Sequence, residues 1–247
     1  MIKNLVVSGC SFTSAFTDTY GDVPTWAHNV AEICNIKFYN LAHRGAGNSY
    51  ICNSVIDQLE SGIFDPEETL VIVMWSGTSR RDIRVSQEYW DKLDYLCKFK
   101  STENNYYVGS GGTGNAWQDN KSTKALFEMQ YLSSDPVTLC SDSIRNFKNL
   151  ENYLTTHKYK FKFTGFYNMW KSDVNESTSD VGEPLFGKYA KEFDLSNWFF
   201  IDENRNSLWE FAKQRNMIDE TGWHPSIKCH ELFAENIVIP NIEGYFK

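Results

Sequence analysis

The sequence predicts an α/β fold with a mainly parallel sheet, and three apolar runs separated by amphipathic stretches predict it. Leu5-Val6-Val7, Ile36 to Leu41 and Glu68 to Trp75 each have the length and composition of a buried strand. Between them, Pro24 to Cys34 and Asn48 to Leu59 repeat apolar residues at intervals of three and four. Strand, helix, strand, helix, strand at this spacing is a βαβαβ unit, whose strands lie parallel in one sheet.

Each element follows from its residues. The first strand stops at Gly9. In Pro24 to Cys34, the residues Trp26, Ala27, Val30, Ala31 and Cys34 share one helical face, with Pro24 placed in the first turn, where its missing N–H costs nothing. Asn48 or Ser49 is the expected cap of the next helix, which buries Ile51, Val55, Ile56 and Leu59. Glu68 to Trp75 is continuous and rich in β-branched residues, as a central parallel strand covered on both faces requires. Val137 to Thr156 reads as a helix, and Tyr159 to Phe166 alternates with period two, the pattern of an edge strand with one wetter face. Ser207 to Met217 is an amphipathic helix. Ser226 to Ile237 forms a last helix directly after the turn Gly222-Trp223-His224-Pro225.

Two stretches break the pattern, residues 84 to 135 and 168 to 195. They read as helical and loop insertions over one edge of the sheet, within a single domain spanning 1–247. The glycine run from Gly109 to Gly114 has no Walker Lys-Ser/Thr and no strand directly before it, so it reads as a flexible connection and not as a phosphate cradle.

Composition excludes several functions. A net charge of -8 argues against a nucleic-acid polyanion as ligand. Nothing in the chain is apolar for the ~18 residues that a membrane helix needs. Val7-Ser8-Gly9-Cys10 has the look of a lipoprotein cleavage box. A secretory signal, however, has an apolar stretch of about 7–15 residues, and the run from Ile2 to Val7 is short and broken by Lys3 and Asn4. The expectation is a protein without a signal peptide, cytoplasmic when made. The six cysteines are scattered with no C-x-x-C pair, which points to reduced thiols and to no metal centre. The high aromatic content, 15%, serves core packing first and contact surfaces for sugars or partners second.

Chemistry gathers in the loops leaving the carboxyl ends of the strands, where open parallel sheets bind ligands. Gly9-Cys10-Ser11 follows the first strand, Arg44-Gly45-Ala46-Gly47-Asn48 the second and Ser76-Gly77-Thr78-Ser79-Arg80 the third, while Thr221-Gly222-Trp223-His224-Pro225 precedes the last helix. Together they hold a hydroxyl nucleophile, a base and donors for an oxyanion, the minimal set for acyl transfer.

The order of these blocks resembles the SGNH/GDSL hydrolase family. Gly9-Cys10-Ser11-Phe12-Thr13 matches its first block, with Cys10 where Asp is usual; Asn40-Leu41-Ala42-His43-Arg44-Gly45 matches the second, and His224-Pro225 with the helix behind it the last. The combination of W-A-x-x-V-A, N-L-A-x-x-G-x-x-N and W-S-x-x-S-R is similar to divergent members encoded by tailed bacteriophages. The resemblance covers residues 3 to 80 and 219 to 237. It implies a three-layer α/β/α, flavodoxin-like fold and a serine esterase that needs no cofactor. Ser11 would be the nucleophile, His224 the base, and the N–H groups of Ser11 and Gly45 oxyanion donors. The implied substrate is a small acyl ester, with O-acetyl groups on bacterial surface carbohydrate as its natural form. A second copy of the chain or virion proteins are the further partners it suggests, and the compartment becomes the host cytoplasm.

Two departures shape the expectation. The family's oxyanion Asn would fall near Gly77 to Ser79, and no Asn occurs between Asn53 and Asn104, which leaves the hydroxyl of Thr78, or Arg80 or Asn48, to take its place. The family's Asp, three residues before the His, is Thr221 here. Asp219 and Glu220, five and four before, are the acids available to orient His224; otherwise a backbone carbonyl does so. A non-catalytic binding or virion-structural module, and an acyltransferase using the same pair, are the competing readings. Taken alone, Ser11 is a turn residue and His224 a loop histidine. Arg80, Arg81 and Asp82 read as a solvated charge cluster, His28 as solvent-facing, and His43 and His230 as surface or helix-packing residues. Cys10 is a buried filler, and Trp75, Trp117, Trp170 and Trp198 are core. Trp223 is the aromatic expected to touch substrate.

Overall fold

Every residue from Thr69 to Trp75 is buried in the computed structural model, because this strand has a strand on each side and helices against each face. The structure describes residues 1–14, 16–17, 21–78, 80–92, 98–102, 105–109, 136–170, 193–220, 222 and 224–247. Ser79, residues 110–114 of the glycine run, Trp117, most of the second insertion, Thr221 and Trp223 lie outside the described residues.

In chain order the elements are β1 (Asn4–Ser8), a short β2 (Phe16–Thr17) and β3 (Gly21–Asp22) pair, α1 (Trp26–Cys34), β4 (Lys37–Asn40), α2 (Asn48–Leu59) and β5 (Thr69–Trp75). There follow β6 (Asp82–Val85), α3 (Gln87–Lys92), β7 (Lys98–Thr102), β8 (Asn105–Gly109), α4 (Pro136–Thr156), β9 (Lys160–Gly165), α5 (Leu208–Gln214) and α6 (Ile227–Phe233). A π-helical turn at Ala234–Val238 leads into α7 (Ile239–Ile242).

The main sheet has the order β4-β1-β5-β9, with every pairing parallel. Alternate side chains of the two central strands enter separate cores. Val6, Val71, Val73 and Trp75 meet α2 and α4, with Trp75 packed 4.4 Å from Phe147 between ring centres. Leu5, Val7, Leu70, Ile72 and Met74 meet α1, α5 and α6 on the opposite face. The result is the expected three layers. Because β1 is followed by a neighbour on one side (β4) and then on the other (β5), the chain reverses direction at β1, and that switch point is where such sheets open a crevice.

Several local expectations change. Pro24 precedes the helix instead of opening it: Thr25 is the α1 N-cap, with its hydroxyl donating to the Thr13 carbonyl at 2.9 Å. His28 is half-buried, its Nδ1 accepting from the Thr25 N–H at 3.3 Å and its ring packed edge-on to Phe38, so it is not simply solvent-facing. The first insertion holds a three-stranded antiparallel sheet, β6-β8-β7, seated on α2. Ser101 and the Asn105 amide both bond Asp57 of α2, and Tyr107 packs on Tyr50.

The N-cap of α2 is Gly47, which has no side chain to offer. Asp82 supplies the missing acceptor from across the chain, taking the N–H groups of Gly47 and Tyr50 at 2.8 Å each. A Cβ at Gly47 would stand 2.7 Å from the Asp82 carboxylate, so glycine is required here by close approach. Asp82 therefore does not belong to a solvated cluster. Burial pushes its carboxyl up to about 6, against the opposing pull of the two N–H bonds and of Arg80 and Arg81. Arg81 pairs with Asp142 of α4 at 2.8 Å.

Candidate active site

Ser11 is half-buried on a turn that β1 enters directly. The Cys10 carbonyl accepts from the N–H groups of both Thr13 and Ser14 at 2.9 Å, which curls the chain and lifts Ser11 out of the strand line. Gly9 makes the turn possible: a Cβ there would lie 2.5 Å from Thr13 Oγ1 and 3.1 Å from the Met74 carbonyl of β5. Cys10 is fully buried beneath it. Three further ties hold this turn. Thr25 binds the Thr13 carbonyl, as does the Asn40 amide at 3.2 Å, and the His43 N–H donates to the Gly9 carbonyl at 3.0 Å.

His224 reaches the same place from the other end of the chain. The two ends of the loop that carries His224 are pinned together by a bridge between Ile218 and Pro225 and by the Ser226 N–H to the Met217 carbonyl at 2.8 Å. Across the loop, the Asp219 N–H donates to the His224 carbonyl at 2.8 Å, and Asp219 Oδ1 accepts the His224 N–H at 3.3 Å. His224 Nε2 stands 3.0 Å from Ser11 Oγ, two residues separated by 213 positions in sequence. Phe12 packs on the imidazole at 5.4 Å and in turn on Phe166 at 4.7 Å.

The remaining sequence candidates fall around this pair unevenly. Gly45 is buried with φ of 75°, a left-handed conformation that favours glycine, in the loop tied to Gly9 through His43. Thr78 is buried at the end of β5, and its Oγ1 has no partner among the described residues. Arg80 lies over the Phe166 ring at 5.4 Å, with Nη1 buried and without a hydrogen-bond partner among the described residues. Asn48 is spent elsewhere. Its Nδ2 donates to the Ser76 carbonyl and to Ser143 Oγ, both at 3.1 Å, and its Oδ1 accepts the Ser76 N–H at 2.9 Å, so it clamps α2 to β5 and α4 and has no amide hydrogen left for an oxyanion. Glu220 is exposed on the His224 loop.

A pocket of about 340 Å³ opens beside Ser11 and His224, walled by Val23, Ile218, Pro225 and Ile227. His230 also lines it, a residue that the sequence suggests is at the surface or packing on a helix. Its place on the apolar face was legible from Phe233 three residues on; its neighbourhood with His224 was not, because that depends on how the loop folds back onto α6. Among the described residues, no group of His, Cys, Asp or Glu could hold a metal ion, and no helix is long and apolar enough to cross a membrane.

A solved structure, TesA, shares this architecture along almost the whole chain. The likeness to TesA covers 98% of this chain and 99% of that one, at 11% identity and a TM-score of 0.51. The psychrotrophic esterase EstA from Pseudoalteromonas sp. matches over 99% of this chain and 98% of its own, at 9% identity and a TM-score of 0.49. A member of the lipolytic protein G-D-S-L family from Veillonella parvula matches over the same shares, at 13% identity and 0.47. At 11% identity the likeness to TesA is one of fold. No curated protein matches the chain. A family model does, described as a family of unknown function (DUF6071); it spans residues 13–246, and the chain belongs to that family.

Proposed function

We propose that this protein is a serine esterase of SGNH type, and the observation that carries the reading is the 3.0 Å approach of His224 Nε2 to Ser11 Oγ. A serine hydroxyl is a poor nucleophile until a base takes its proton, and a base must stand within about 2.6–3.2 Å to do so. In the reaction, Oγ adds to the ester carbonyl while its proton passes to Nε2. The tetrahedral intermediate collapses as Nε2 returns that proton to the leaving alcohol. Water then repeats the sequence on the acyl-serine, releasing the acid and restoring Ser11.

The developing oxyanion needs fixed donors on the side away from His224. The N–H groups of Ser11 and Gly45 and the Thr78 hydroxyl, which has no partner among the described residues, are the groups we assign to it, Thr78 standing where an Asn amide is otherwise expected. Each such donor is worth about 2.7–4 kcal/mol in the transition state. Asp219 steadies His224 through the loop backbone, and its carboxylate is our candidate for orienting the imidazole. The substrate we favour is a small acyl ester, an O-acetyl group on carbohydrate being the natural form that fits a compact pocket. Asn48, with both amide hydrogens committed, weakens the oxyanion site and is the specific observation in favour of a binding module without catalysis.

The test is hydrolysis of p-nitrophenyl acetate by the wild-type protein, Ser11→Ala and His224→Ala. The reading expects turnover in the first and a loss of at least about 10³-fold in both variants. Equal rates in all three proteins would reject it in favour of the binding module.

A further inference from the structure

Arg80 stands at the carboxyl edge of the sheet without an ionic partner among the described residues. It follows Thr78 in the loop leaving β5, and its N–H donates to the Gly77 carbonyl at 3.2 Å. The guanidinium lies over Phe166 at 5.4 Å, Phe166 packs on Phe12 at 4.7 Å, and Phe12, next to Ser11 in the chain, packs on His224 at 5.4 Å. Neighbouring charges are committed elsewhere. Arg81 pairs with Asp142 at 2.8 Å. Asp82 is close enough to feel Arg80, yet gives one oxygen to the Gly47 N–H and the other to the Tyr50 N–H.

The open part of the side chain has a definite shape. Arg80 is half-buried; Nη1 is sealed from solvent, while Nε and Nη2 are not. Those two nitrogens form the side edge of the guanidinium, two parallel N–H donors that match the two oxygens of a carboxylate. Phe166 beneath the ring plane fixes the edge and offsets part of its desolvation through a cation–π contact. With 32 acidic residues against 24 Lys and Arg, the chain has carboxylates to spare, and none among the described residues is placed on this edge. An anion arriving with the ligand accounts for it.

Charge selects the kind of anion and where it lies. Phosphate carries close to two charges, and a net charge of -8 favours the singly charged carboxylate. The pocket beside Ser11 is walled by apolar side chains together with Asp219 and Glu220, which repel an anion, and neither Arg80 nor Phe166 lines it. The charged group therefore lies outside that pocket, toward Arg80. Resting on the esterase reading above, we infer that Arg80 binds a carboxylate carried by the substrate, so that the esters hydrolysed are those of acidic molecules; in the carbohydrate form this is an O-acetylated sugar acid.

The experiment measures kcat/KM for two pairs of esters in wild type, Arg80→Met and Arg80→Lys. Mono-p-nitrophenyl adipate and p-nitrophenyl methyl adipate differ by a carboxylate on the acyl half; 4-acetoxybenzoate and methyl 4-acetoxybenzoate differ by one on the alcohol half. Comparing the acid-to-neutral ratio between proteins cancels the intrinsic reactivity of the esters. In one pair or the other the ratio is expected to fall about 10–100-fold in Arg80→Met, with part of it kept in Arg80→Lys and the wild-type ratio shrinking in high salt. The pair that responds identifies the half that carries the acid. Arg80→Gln is the second neutral replacement if Arg80→Met folds poorly, as judged by its melting temperature. Fluorophosphonate labelling of Ser11 in each protein separates the two levels of the argument. With Ser11 labelled, an unchanged ratio in both pairs overturns the inference alone, and acid and neutral esters slowed alike would assign Arg80 to the oxyanion instead. An unlabelled Ser11 in the wild-type protein overturns the esterase reading and this inference with it.

Discussion

Replacing Gly9 with alanine tests whether the Ser11 turn is as tightly determined as its contacts indicate. The new Cβ would meet Thr13 Oγ1 at 2.5 Å, Thr13 Cβ at 2.8 Å and the Met74 carbonyl at 3.1 Å. Rotating Thr13 relieves the first contact only. The second must open to an ordinary contact of 3.4 Å, and β5 blocks retreat on the other side through the Met74 carbonyl. The turn must therefore move by about 0.6 Å, at a cost of about 1–3 kcal/mol, the usual range for an overpacked site. Carried to Ser11, the same displacement takes the 3.0 Å contact with His224 beyond hydrogen-bond reach. Misplacements of this order lower rates by about 10²-fold. The assay is p-nitrophenyl acetate hydrolysis together with thermal unfolding, with Gly244→Ala as control, since a Cβ at Gly244 meets nothing within 4 Å. The expectation for Gly9→Ala is a modest fall in melting temperature with a large fall in kcat. Wild-type activity in a well-folded Gly9→Ala protein would refute the steric argument and the role given to this turn.

Other outcomes follow from the same geometry. Asp219→Ala removes the acceptor of the His224 N–H, so kcat should fall more than KM changes, by up to about 10⁴-fold if the carboxylate also orients the imidazole, while Glu220→Ala should leave kcat within a few-fold. Asp82→Ala deprives the Gly47 and Tyr50 N–H groups of their acceptor, and denaturant unfolding should show a loss of about 1–3 kcal/mol. The folded-state pKa of His230, about 3, lies below that of a free histidine. The unfolded chain therefore takes up a proton that the folded one refuses as pH falls from about 6.5 toward 3, and stability contributed by the neutral ring is lost across that window, up to about 4 kcal/mol. Urea unfolding of wild type and His230→Leu at pH 7 and pH 5 should show the smaller pH dependence in the variant; equal slopes would contradict the buried neutral histidine.

What the residues disclosed depended on the range of the interactions involved. The run Leu70 to Trp75 announces a doubly covered strand because its pattern is set by its own side chains, and the same holds for the edge strand β9, whose alternation matches its place at the end of the sheet. Ser11, Gly45 and His224 were legible as motifs, each set by a local turn. The partners of buried polar groups were not. Asn48 reads as a helix cap, yet its amide bridges to Ser76 and Ser143, and the capping falls to Asp82, 35 positions past Gly47. Asp82 sits among arginines, which suggests a solvated cluster; only the fold shows that β6 carries it against the start of α2. The antiparallel sheet of the first insertion was hidden because its strands are short and the charged residues of β6 and β7, Asp82, Arg84, Lys98 and Lys100, break up their apolar residues.

The central claim is that Ser11 is chemically activated by His224, and the most direct measurement is the site of reaction with a fluorophosphonate. Intact-mass and peptide analysis after labelling should place a single adduct on Ser11 in the wild-type protein, strongly slowed in His224→Ala and absent from Ser11→Ala. No adduct on Ser11, or labelling that proceeds equally without His224, would contradict the account.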